Sequence, residues 1–280
     1  MAYSDAVSTA REYYNSADAD AFYHEIWGGE DIHVGIYLEP DETILTASCR
    51  TVEQVARRIT KGLHEGSRVL DMGSGYGGAA RYLNRTFSCH VTALNLSEVE
   101  NERHRQLNQE QGIDRIEVID GSFESIPCED VSFDVVWSQD AILHSGDRDR
   151  VLSEACRVLR PDGELVFTDP MQADDCPPGV LQPIFDRIHL SSLGSPSFYR
   201  ESGRKAGFST FTYEDMTDCL VRHYTRVLEE TERQASRLVG RVSADYVDRM
   251  KKGLQHWIDG GQDGYLTWGI LCLQKDGKSS

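Results

Sequence analysis

The sequence lacks the features that define several common classes of protein. None of its seven cysteines forms a C-x-x-C pair, so neither a zinc site nor a disulfide framework is predicted. No stretch approaches the roughly 18 consecutive apolar residues that cross a bilayer. The N-terminal MAYSDAVSTAREYYNSADADAF carries acidic residues where a signal peptide needs an apolar core. These absences predict a cytoplasmic protein with no membrane partner and no metal.

Basic residues are also scarce. The 280 residues include 29 Lys and Arg against 46 Asp and Glu, which gives a net charge of −17. A field of this sign repels phosphate groups, which argues against nucleic acid or an anionic membrane as a partner and favours a small molecule. The length suits one large α/β domain with insertions, or a core domain with a small cap.

Helix and strand signals alternate from residue 51 onward. A helix with Thr51 as its cap is predicted over TVEQVARRITKGLHEG, and Ser97 and Glu100 stand at capping-box spacing before another helix. A helix near 148–159 and the turn Pro161-Asp162-Gly163 precede a strand. The predicted strands are SRVLDM, HVTALN (90–95), IEVIDG (116–121), FDVVWSQ (133–139) and ELVFTDP (164–170). Strands separated by helices predict a parallel, doubly wound α/β sheet.

The regular alternation of helix and strand signals ends after the fifth predicted strand. Residues 171–196 are rich in proline and predict a loop with a short helix that covers the carboxyl edge of the sheet. A helix from about Ser197, a strand near FSTFTYE and two long helices, about 216–239 and 243–259, precede the last strand, YLTWGILCLQ. The long helices are a candidate lid.

A glycine loop follows the first strand in VLDMGSGYGG, residues 69–78. Gly73, Gly75 and Gly78 fit the spacing G-x-G-x-x-G, which lets the backbone leave a strand tightly and approach a ligand. Asp71, two residues before the first glycine, would repel the pyrophosphate of a dinucleotide but suits the ammonium and sulfonium groups of S-adenosylmethionine. The loop therefore favours S-adenosylmethionine over a nicotinamide dinucleotide, which stays as the alternative.

Polar residues also follow the next three strands. Asn95 ends the second strand, where an amide oxygen can accept a hydrogen bond from a ribose hydroxyl. The stretch DGSF (120–123) leaves the third strand, and Phe123 can pack on an adenine ring. In WSQDAILH (137–144), Gln139 and His144 are candidates for the adenosine or methionine side, whereas Trp137 and Asp140 are equally explained as a core residue and a helix cap. Together these positions predict a nucleoside site.

With IWGGEDIHVGIY, FTDPM, QPIFDRIHL and LTWG added, the sequence resembles the S-adenosylmethionine-dependent small-molecule methyltransferases. It is most similar to the sarcosine/dimethylglycine N-methyltransferases that make glycine betaine, from Tyr13 to Gly269. The resemblance implies a seven-stranded class I methyltransferase sheet with an N-terminal helical cover and a helical insertion before the last strand. The implied division is a cover over 1–50 and a methyltransferase domain over 51–280, including a cap of about 171–196 and an insertion of about 216–262.

The resemblance and the strand ends together predict the cofactor site. The predicted cofactor-binding residues are His33, Asp71, Gly73, Ser74, Gly75, Asn95, Leu96, Gly121, Ser122, Phe123 and Gln139. Asn95 and Ser122 depart from the superfamily pattern, because many methyltransferases have acids there. His33 and Tyr37 are expected to line the roof of the pocket.

Methyl transfer to an amine sets the demands on the substrate site. The reaction is an in-line displacement that needs positioning and no covalent intermediate. The amine arrives mostly protonated, and Tyr14, His144 or His189 are candidates to assist the loss of its proton; Tyr14 and His144 are the predicted catalytic residues. A cation has to hold the substrate carboxylate, and aromatic faces suit the developing quaternary ammonium. The predicted substrate-binding residues are Tyr37, Trp137, Met171, Arg187, Tyr199 and Arg200.

Other functions stay open at this point. The substrate is predicted to be sarcosine, dimethylglycine or both, with another small amine or a lipid-like molecule as the alternative. A nicotinamide-dependent oxidoreductase and a non-catalytic S-adenosylmethionine sensor are the rival classes. The sequence does not predict the oligomeric state.

Overall fold

Seven strands form one sheet in the computed structural model, which describes residues 5–39, 41–188 and 190–277. The strands are β1 (Arg68–Met72), β2 (His90–Asn95), β3 (Ile116–Asp120), β4 (Phe133–Gln139), β5 (Leu159–Gln172), β6 (Phe208–Asp215) and β7 (Leu266–Lys275). Their order is β3-β2-β1-β4-β5-β7-β6, parallel except for β7, which runs antiparallel to both neighbours. The predicted doubly wound sheet is confirmed.

Helices surround the sheet and fill the insertions. They are α1 (Asp5–Tyr14), α2 (Ala17–Trp27), α3 (Ile44–Ala56), α4 (Gly78–Phe87), α5 (Glu98–Glu110), α6 (Arg148–Val158), α7 (Gln182–Ile188), α8 (Pro196–Ala206), α9 (Thr217–Arg233), α10 (Ala235–Leu238) and α11 (Ala244–Gln262), with a 3₁₀ turn at Ile142–His144. No helix in the three described ranges is long and apolar enough to cross a membrane.

Neighbouring residues of the central strands enter two different cores, because successive side chains of a strand point to opposite faces. Leu70 and Val136 pack into one cluster, whereas Val69 and Val135 pack into the other. Both faces of the sheet are therefore covered by helices, which is why these strands read as continuous apolar runs. The order of strands reverses between β1 and β4, and in such sheets ligands bind at that point, outside the carboxyl ends.

The glycine loop is shaped by close approaches at that point. Gly73 has a φ of 77°, and a Cβ there would overlap the Ala141 methyl group. A Cβ at Gly78, the first residue of α4, would overlap the carboxylate of Asp31. Glycine at these two positions lets the N-terminal segment and the turn after β4 close around the end of β1.

The two predicted helix caps have different outcomes. Thr51 does not cap a helix: α3 begins earlier, at Ile44, with the Thr43 hydroxyl accepting a hydrogen bond from the N–H of Thr46. Thr51 is buried within that helix, where its hydroxyl donates to the Val34 carbonyl (2.8 Å). The predicted cap at Ser97 is confirmed by the bond from the Glu100 N–H (3.2 Å).

The fifth strand is also longer than predicted. β5 begins at Leu159, so the predicted turn Pro161-Asp162-Gly163 lies inside its range, and Asp162 takes a φ of 58° there. The strand pairing shifts register between Phe133 and Val135 of the neighbouring β4. The turn residues therefore produce an irregularity within the strand.

The N-terminal helices and the insertion share one core. Phe22 and Ile26 of α2 pack with Tyr246 and Met250 of α11 and with Val227 of α9. The segment after β5 adds α7, which packs on α11. The division into a cover, a cap and an insertion stays a prediction, but these parts meet in one layer beside the strand ends.

Candidate active site

Two adjoining cavities lie at the carboxyl ends of the strands. The first cavity is bordered by the loop after β1, the ends of β2 and β4, the start of the β3–β4 connection and the N-terminal segment. The predicted site residues that line it are Tyr14, His33, Asp71, Gly73, Ser74, Gly75, Asn95, Leu96, Ser122, Phe123, Gln139 and His144. Gly121 is not among its lining residues. The Gly121 N–H instead donates to the Asn95 carbonyl (3.1 Å), which holds the β3 turn against β2.

Several residues of the first cavity carry a buried polar atom that has no hydrogen-bond partner among the described residues. These atoms are His33 Nε2, Asp71 Oδ2, Ser74 Oγ and Gln139 Nε2. A buried polar atom left unsatisfied costs about 1 to 3 kcal/mol. Because the set includes both acceptors and donors, it fits a polar ligand with an amino and a carboxylate group, such as the methionine end of S-adenosylmethionine.

The charge of the first cavity favours a cation. Burial, assisted by Asp31, raises the pKa of Asp71 to about 7. Burial alone would lower the pKa of His33, but Asp31 (Nε2 to Oδ1, 3.7 Å) and Asp140 raise it overall. A bound ammonium would relieve the repulsion between these carboxylates, whereas a pyrophosphate would increase it. The site is therefore poorly suited to a nicotinamide dinucleotide.

Tyr14 and His144 meet where the two cavities join, since both residues line both cavities. The Tyr14 hydroxyl lies 2.9 Å from His144 Nε2, a hydrogen bond in which either group can donate. Burial, with smaller contributions from Arg148 and Arg187, lowers the pKa of His144 to about 4, and burial raises that of Tyr14 well above its usual value. Both groups are therefore neutral near pH 7.

A hydrogen bond to β5 holds the backbone of the turn that carries His144. The N–H of Leu143 donates to Asp169 Oδ1 on β5 (2.9 Å), and the other carboxylate oxygen of Asp169 accepts from the Tyr199 hydroxyl (2.5 Å). Burial raises the pKa of Asp169 to about 7, and the Tyr199 bond opposes that rise. His189, the other predicted proton acceptor, lies outside the described residues.

The second cavity has an aromatic wall and a volume of about 880 Å³. Helices α1, α2, α7, α9 and α11 contribute to it. Its aromatic lining residues are Tyr13, Tyr14, Tyr23, Trp27, Tyr224, Tyr246 and Trp257. Sequence reasoning missed Tyr13, Tyr23, Tyr246 and Trp257. The spacing of Tyr246, Met250, Gly253 and Trp257 places them on one face of a helix, but such a face looks the same when it is buried in a core.

Arg187 brings a positive charge to this aromatic cavity. Its side chain crosses α11 at Gly253, where a Cβ would overlap the guanidinium, and its Nη2 lies 2.8 Å from Met250 Sδ. Within the described part of the chain, no carboxylate lies within 4.0 Å of it. The guanidinium is thus available to an anionic ligand group.

Five predicted substrate residues line neither cavity. They are Tyr37, Trp137, Met171, Tyr199 and Arg200. Trp137, Met171 and Tyr199 have no exposed surface and belong to the cores on the two faces of the sheet. Their assignment to the substrate is corrected: these large side chains, in β4, β5 and α8 respectively, fill the core beneath the site.

The other two of these residues are occupied elsewhere. The Tyr37 hydroxyl lies 3.1 Å from Nδ1 of the buried His223, and the N–H of Gly35 donates to the same nitrogen (3.0 Å). Arg200 is exposed and stacks over the Phe211 ring at 5.2 Å. Of the two arginines predicted to hold a carboxylate, the structure brings only Arg187 to a cavity.

Comparison with known proteins also indicates a methyltransferase. Residues 70–167 match the family model described as a methyltransferase domain. The sarcosine/dimethylglycine N-methyltransferase of Halorhodospira halochloris is 59% identical over 271 residues, 96% of this chain and 97% of that protein. The enzyme of the same name from Aphanothece halophytica is 53% identical over 277 residues, 98% of this chain and 100% of that protein.

A solved structure agrees with the sequence relatives. A crystal structure from Galdieria sulphuraria, provisionally assigned as a sarcosine dimethylglycine methyltransferase, is 44% identical and has a TM-score of 0.90. The match covers 95% of this chain and 100% of that one. The fold over 95% of the chain is therefore shared with a protein of recognisably similar sequence.

The raised pKa of Asp71 predicts a pH-dependent affinity for a cationic ligand. S-adenosylhomocysteine carries an ammonium, and Asp71 attracts it only when ionised. We expect its affinity, measured by calorimetry, to fall by up to about tenfold per pH unit below pH 7 and to level off above pH 8. Asp71→Asn should bind more weakly and show a shallower dependence on pH, while Glu117→Gln, on an exposed part of β3, should keep the parental profile. An unchanged pH profile in Asp71→Asn would contradict the assignment.

The corrected position of Tyr199 predicts a loss of stability. Tyr199→Phe removes a donor from the buried Asp169, which should lower the free energy of unfolding by about 1 to 3 kcal/mol in urea titration. The matched control is Tyr82→Phe, a partly exposed tyrosine on α4. A variant with parental stability but a raised Michaelis constant would restore Tyr199 to the substrate site.

Proposed function

We propose that this chain, which belongs to the family of S-adenosylmethionine-dependent sarcosine/dimethylglycine N-methyltransferases, methylates the amine of sarcosine, dimethylglycine or both. The observation that carries the proposal is that two cavities of different chemistry adjoin each other. An aromatic cavity with the available cation Arg187 opens, past Tyr14 and His144, into a cavity with the chemistry of a nucleoside and amino acid site. The product of complete methylation is glycine betaine, an osmolyte.

The first cavity supplies a group for each part of the methyl donor. Asp71 suits the ammonium, Asn95 the ribose, and Phe123 the adenine ring, while Gln139 offers an unpaired N–H to the carboxylate. When bound, S-adenosylmethionine supplies an electrophilic methyl group on a sulfonium. The contribution of the protein is to bind, orient and exclude water.

The amine has to lose its proton before its lone pair can attack. Its pKa is near 10 in water by analogy with lysine, and burial in an aromatic cavity lowers that value, because desolvation disfavours the charged form. Tyr14 and His144 are neutral polar groups at the junction of the cavities. We assign them to accept a hydrogen bond from the ammonium and to assist the transfer of its proton to water.

The two ends of the substrate make different demands. The carboxylate is held by Arg187, whose planar guanidinium matches two carboxylate oxygens. The nitrogen becomes positively charged as the methyl group arrives, and after the last methylation it has no N–H to donate. Ring faces then stabilise it, each by about 0.5 to 2 kcal/mol. Tyr14 is the leading ring because it also reaches the first cavity.

The proposal is tested by a substrate panel of glycine, sarcosine, dimethylglycine and phosphoethanolamine, with mass spectrometry of the products. Methylation of sarcosine or dimethylglycine supports it. Methylation of phosphoethanolamine alone would move the function to another small amine, and binding of S-adenosylhomocysteine without turnover of any amine would favour a sensor. A cytoplasmic location is part of the proposal and agrees with seven free cysteines.

Removal of the Arg187 guanidinium is expected to weaken substrate binding. Arg187→Ala should raise the Michaelis constant for dimethylglycine by about 10- to 100-fold, because a charge-assisted bond is lost. The affinity for S-adenosylhomocysteine should stay near parental. Arg200→Ala is the matched control and should leave both values unchanged. A parental Michaelis constant in Arg187→Ala would remove this residue from the carboxylate site.

Two substitutions at Tyr14 distinguish the contribution of its ring from that of its hydroxyl. Tyr14→Phe keeps the ring face but loses the bond to His144, so turnover should fall by about 2- to 10-fold. Tyr14→Leu also loses the ring and should fall by a further factor of about 2 to 30. Tyr82→Leu is the control. Equal turnover in the Leu variant and the parent would contradict a role in the aromatic wall, and an equal fall in Phe and Leu would assign the effect to the hydroxyl alone.

A further inference from the structure

Arg148, the first residue of α6, bonds two separate segments of the chain. Its Nη2 donates to the carbonyl of Leu143 (2.7 Å), in the turn that carries His144, and to the carbonyl of Ser192 (2.7 Å). Its Nη1 also donates to the Ser192 hydroxyl (3.3 Å). Ser192 belongs to the irregular segment between α7 and α8. One guanidinium therefore connects the turn after β4 to the chain that follows α7.

The turn that carries His144 is held at both backbone groups of Leu143. The Leu143 N–H donates to Asp169 and its carbonyl accepts from Arg148, so the peptide groups on either side of this residue are fixed. The second of these peptide groups is shared with His144. The imidazole is in turn held at the junction of the cavities by the Tyr14 hydroxyl (2.9 Å). The Arg148 bond is therefore one of the contacts that place His144.

The other bonded segment is continuous with α7, the helix that carries Arg187. The N–H of Leu190 donates back to a carbonyl of that helix (3.1 Å), so the chain leaves α7 in a fixed direction. Further along, the Gly194 carbonyl accepts from the N–H of Gln172 at the end of β5 (2.9 Å). Ser192 lies between these two bonds. The guanidinium therefore holds the stretch of chain through which α7 is tied to the sheet.

The connection uses a property of arginine that lysine lacks. A guanidinium carries its N–H donors in a planar fork and can bond two carbonyls at once, whereas an ammonium acts as a point charge. No carboxylate of the described chain lies within 4.0 Å of Arg148. Its Nε is buried and lacks a partner in the same part of the chain. The side chain is thus placed to join the two segments and not to form an ion pair.

His144 and Arg187 act on opposite ends of the proposed substrate. We infer that Arg148 is a positioning residue that keeps His144 and the helix carrying Arg187 at a fixed separation, and so selects amino acids with one carbon between nitrogen and carboxylate. The inference deepens the proposed function and rests on it. Burial, and then the charges of Arg148 and Arg187, lower the pKa of His144 to about 4, which agrees with two cations near the imidazole.

The first experiment compares dimethylglycine with N,N-dimethyl-β-alanine, which has one more carbon between nitrogen and carboxylate. One methylene changes kcat/KM by about 10- to 200-fold in a well-formed site, so the parent should prefer dimethylglycine by a factor in this range. Arg148→Gln should reduce the preference by about tenfold. Arg148→Lys keeps the charge but bonds one carbonyl at a time, and should be intermediate.

The ratio of the two substrates separates positioning from stability. A variant that is only less stable loses activity on both substrates alike, so an unchanged ratio in Arg148→Gln would overturn the inference. Arg204→Gln is the matched control, because Arg204 is exposed on α8, and it should keep the parental ratio. Turnover of dimethylglycine by the parent is measured first. Its absence would overturn both proposals, whereas turnover with an unchanged ratio would remove only the role of Arg148.

The second experiment needs no amine substrate. Hydrogen exchange of the protein with S-adenosylhomocysteine bound is followed by mass spectrometry in peptides that cover residues 142–146 and 190–194. Arg148→Gln should speed exchange in both segments by about tenfold, because a hydrogen bond from a charged group holds each of them. Arg204→Gln should leave both rates unchanged, and melting temperatures are recorded for every variant. Faster exchange in only one segment, or in neither, would overturn the connection between them.

Discussion

The carboxylate of Asp140 is the contact on which both cavities depend. One oxygen accepts hydrogen bonds from Thr168 Oγ1 on β5 (2.7 Å) and Trp268 Nε1 on β7 (2.8 Å), and the other accepts from the Val34 N–H (2.7 Å). The residue has a φ of 49°, a conformation that costs a non-glycine residue about 1 to 3 kcal/mol. Three donors maintain it. They join the N-terminal segment to the sheet at the boundary between the cavities.

Charged side chains of both signs border the two cavities. Asp31, Asp71 and Asp140 line the first cavity. Asp140 also borders the second, whose lining includes Arg187 as well as the acidic residues Glu12, Asp18 and Asp186. An amino acid derivative has an ammonium and a carboxylate of its own, so the carboxylates of the first cavity suit its ammonium and Arg187 suits its carboxylate. The excess of acidic residues in the whole chain acts at longer range and repels polyanions. Local and overall charge therefore select for the same kind of small, zwitterionic ligand.

The sequence predicted what depends on local pattern. The strands, the glycine loop and the polar residues at the strand ends follow from periodicity and from the rule that parallel strands end at one edge. Met171, near the end of β5, and Tyr199, in α8, were misassigned because a large side chain looks the same in the sequence whether it faces a ligand or the core. Tyr246 was missed because its position depends on how α11 packs on α2, which no local pattern encodes. Glu100 was predicted as a capping residue, but its carboxylate accepts a hydrogen bond from Asn95 Nδ2 (2.8 Å), which depends on the geometry of the turn between them.

Helix α1 shows how two consecutive tyrosines connect these parts. The Tyr13 hydroxyl contacts the hydroxyls of Tyr23 on α2 (3.2 Å) and Tyr246 on α11 (2.9 Å), so it ties the cover to the insertion. Tyr14 points to His144 at the edge of the sheet. Because neighbouring residues of a helix face different directions, one turn of α1 can hold both contacts at once. The same helix therefore borders both cavities, and neither wall is complete unless α1 is docked against the insertion and the sheet together.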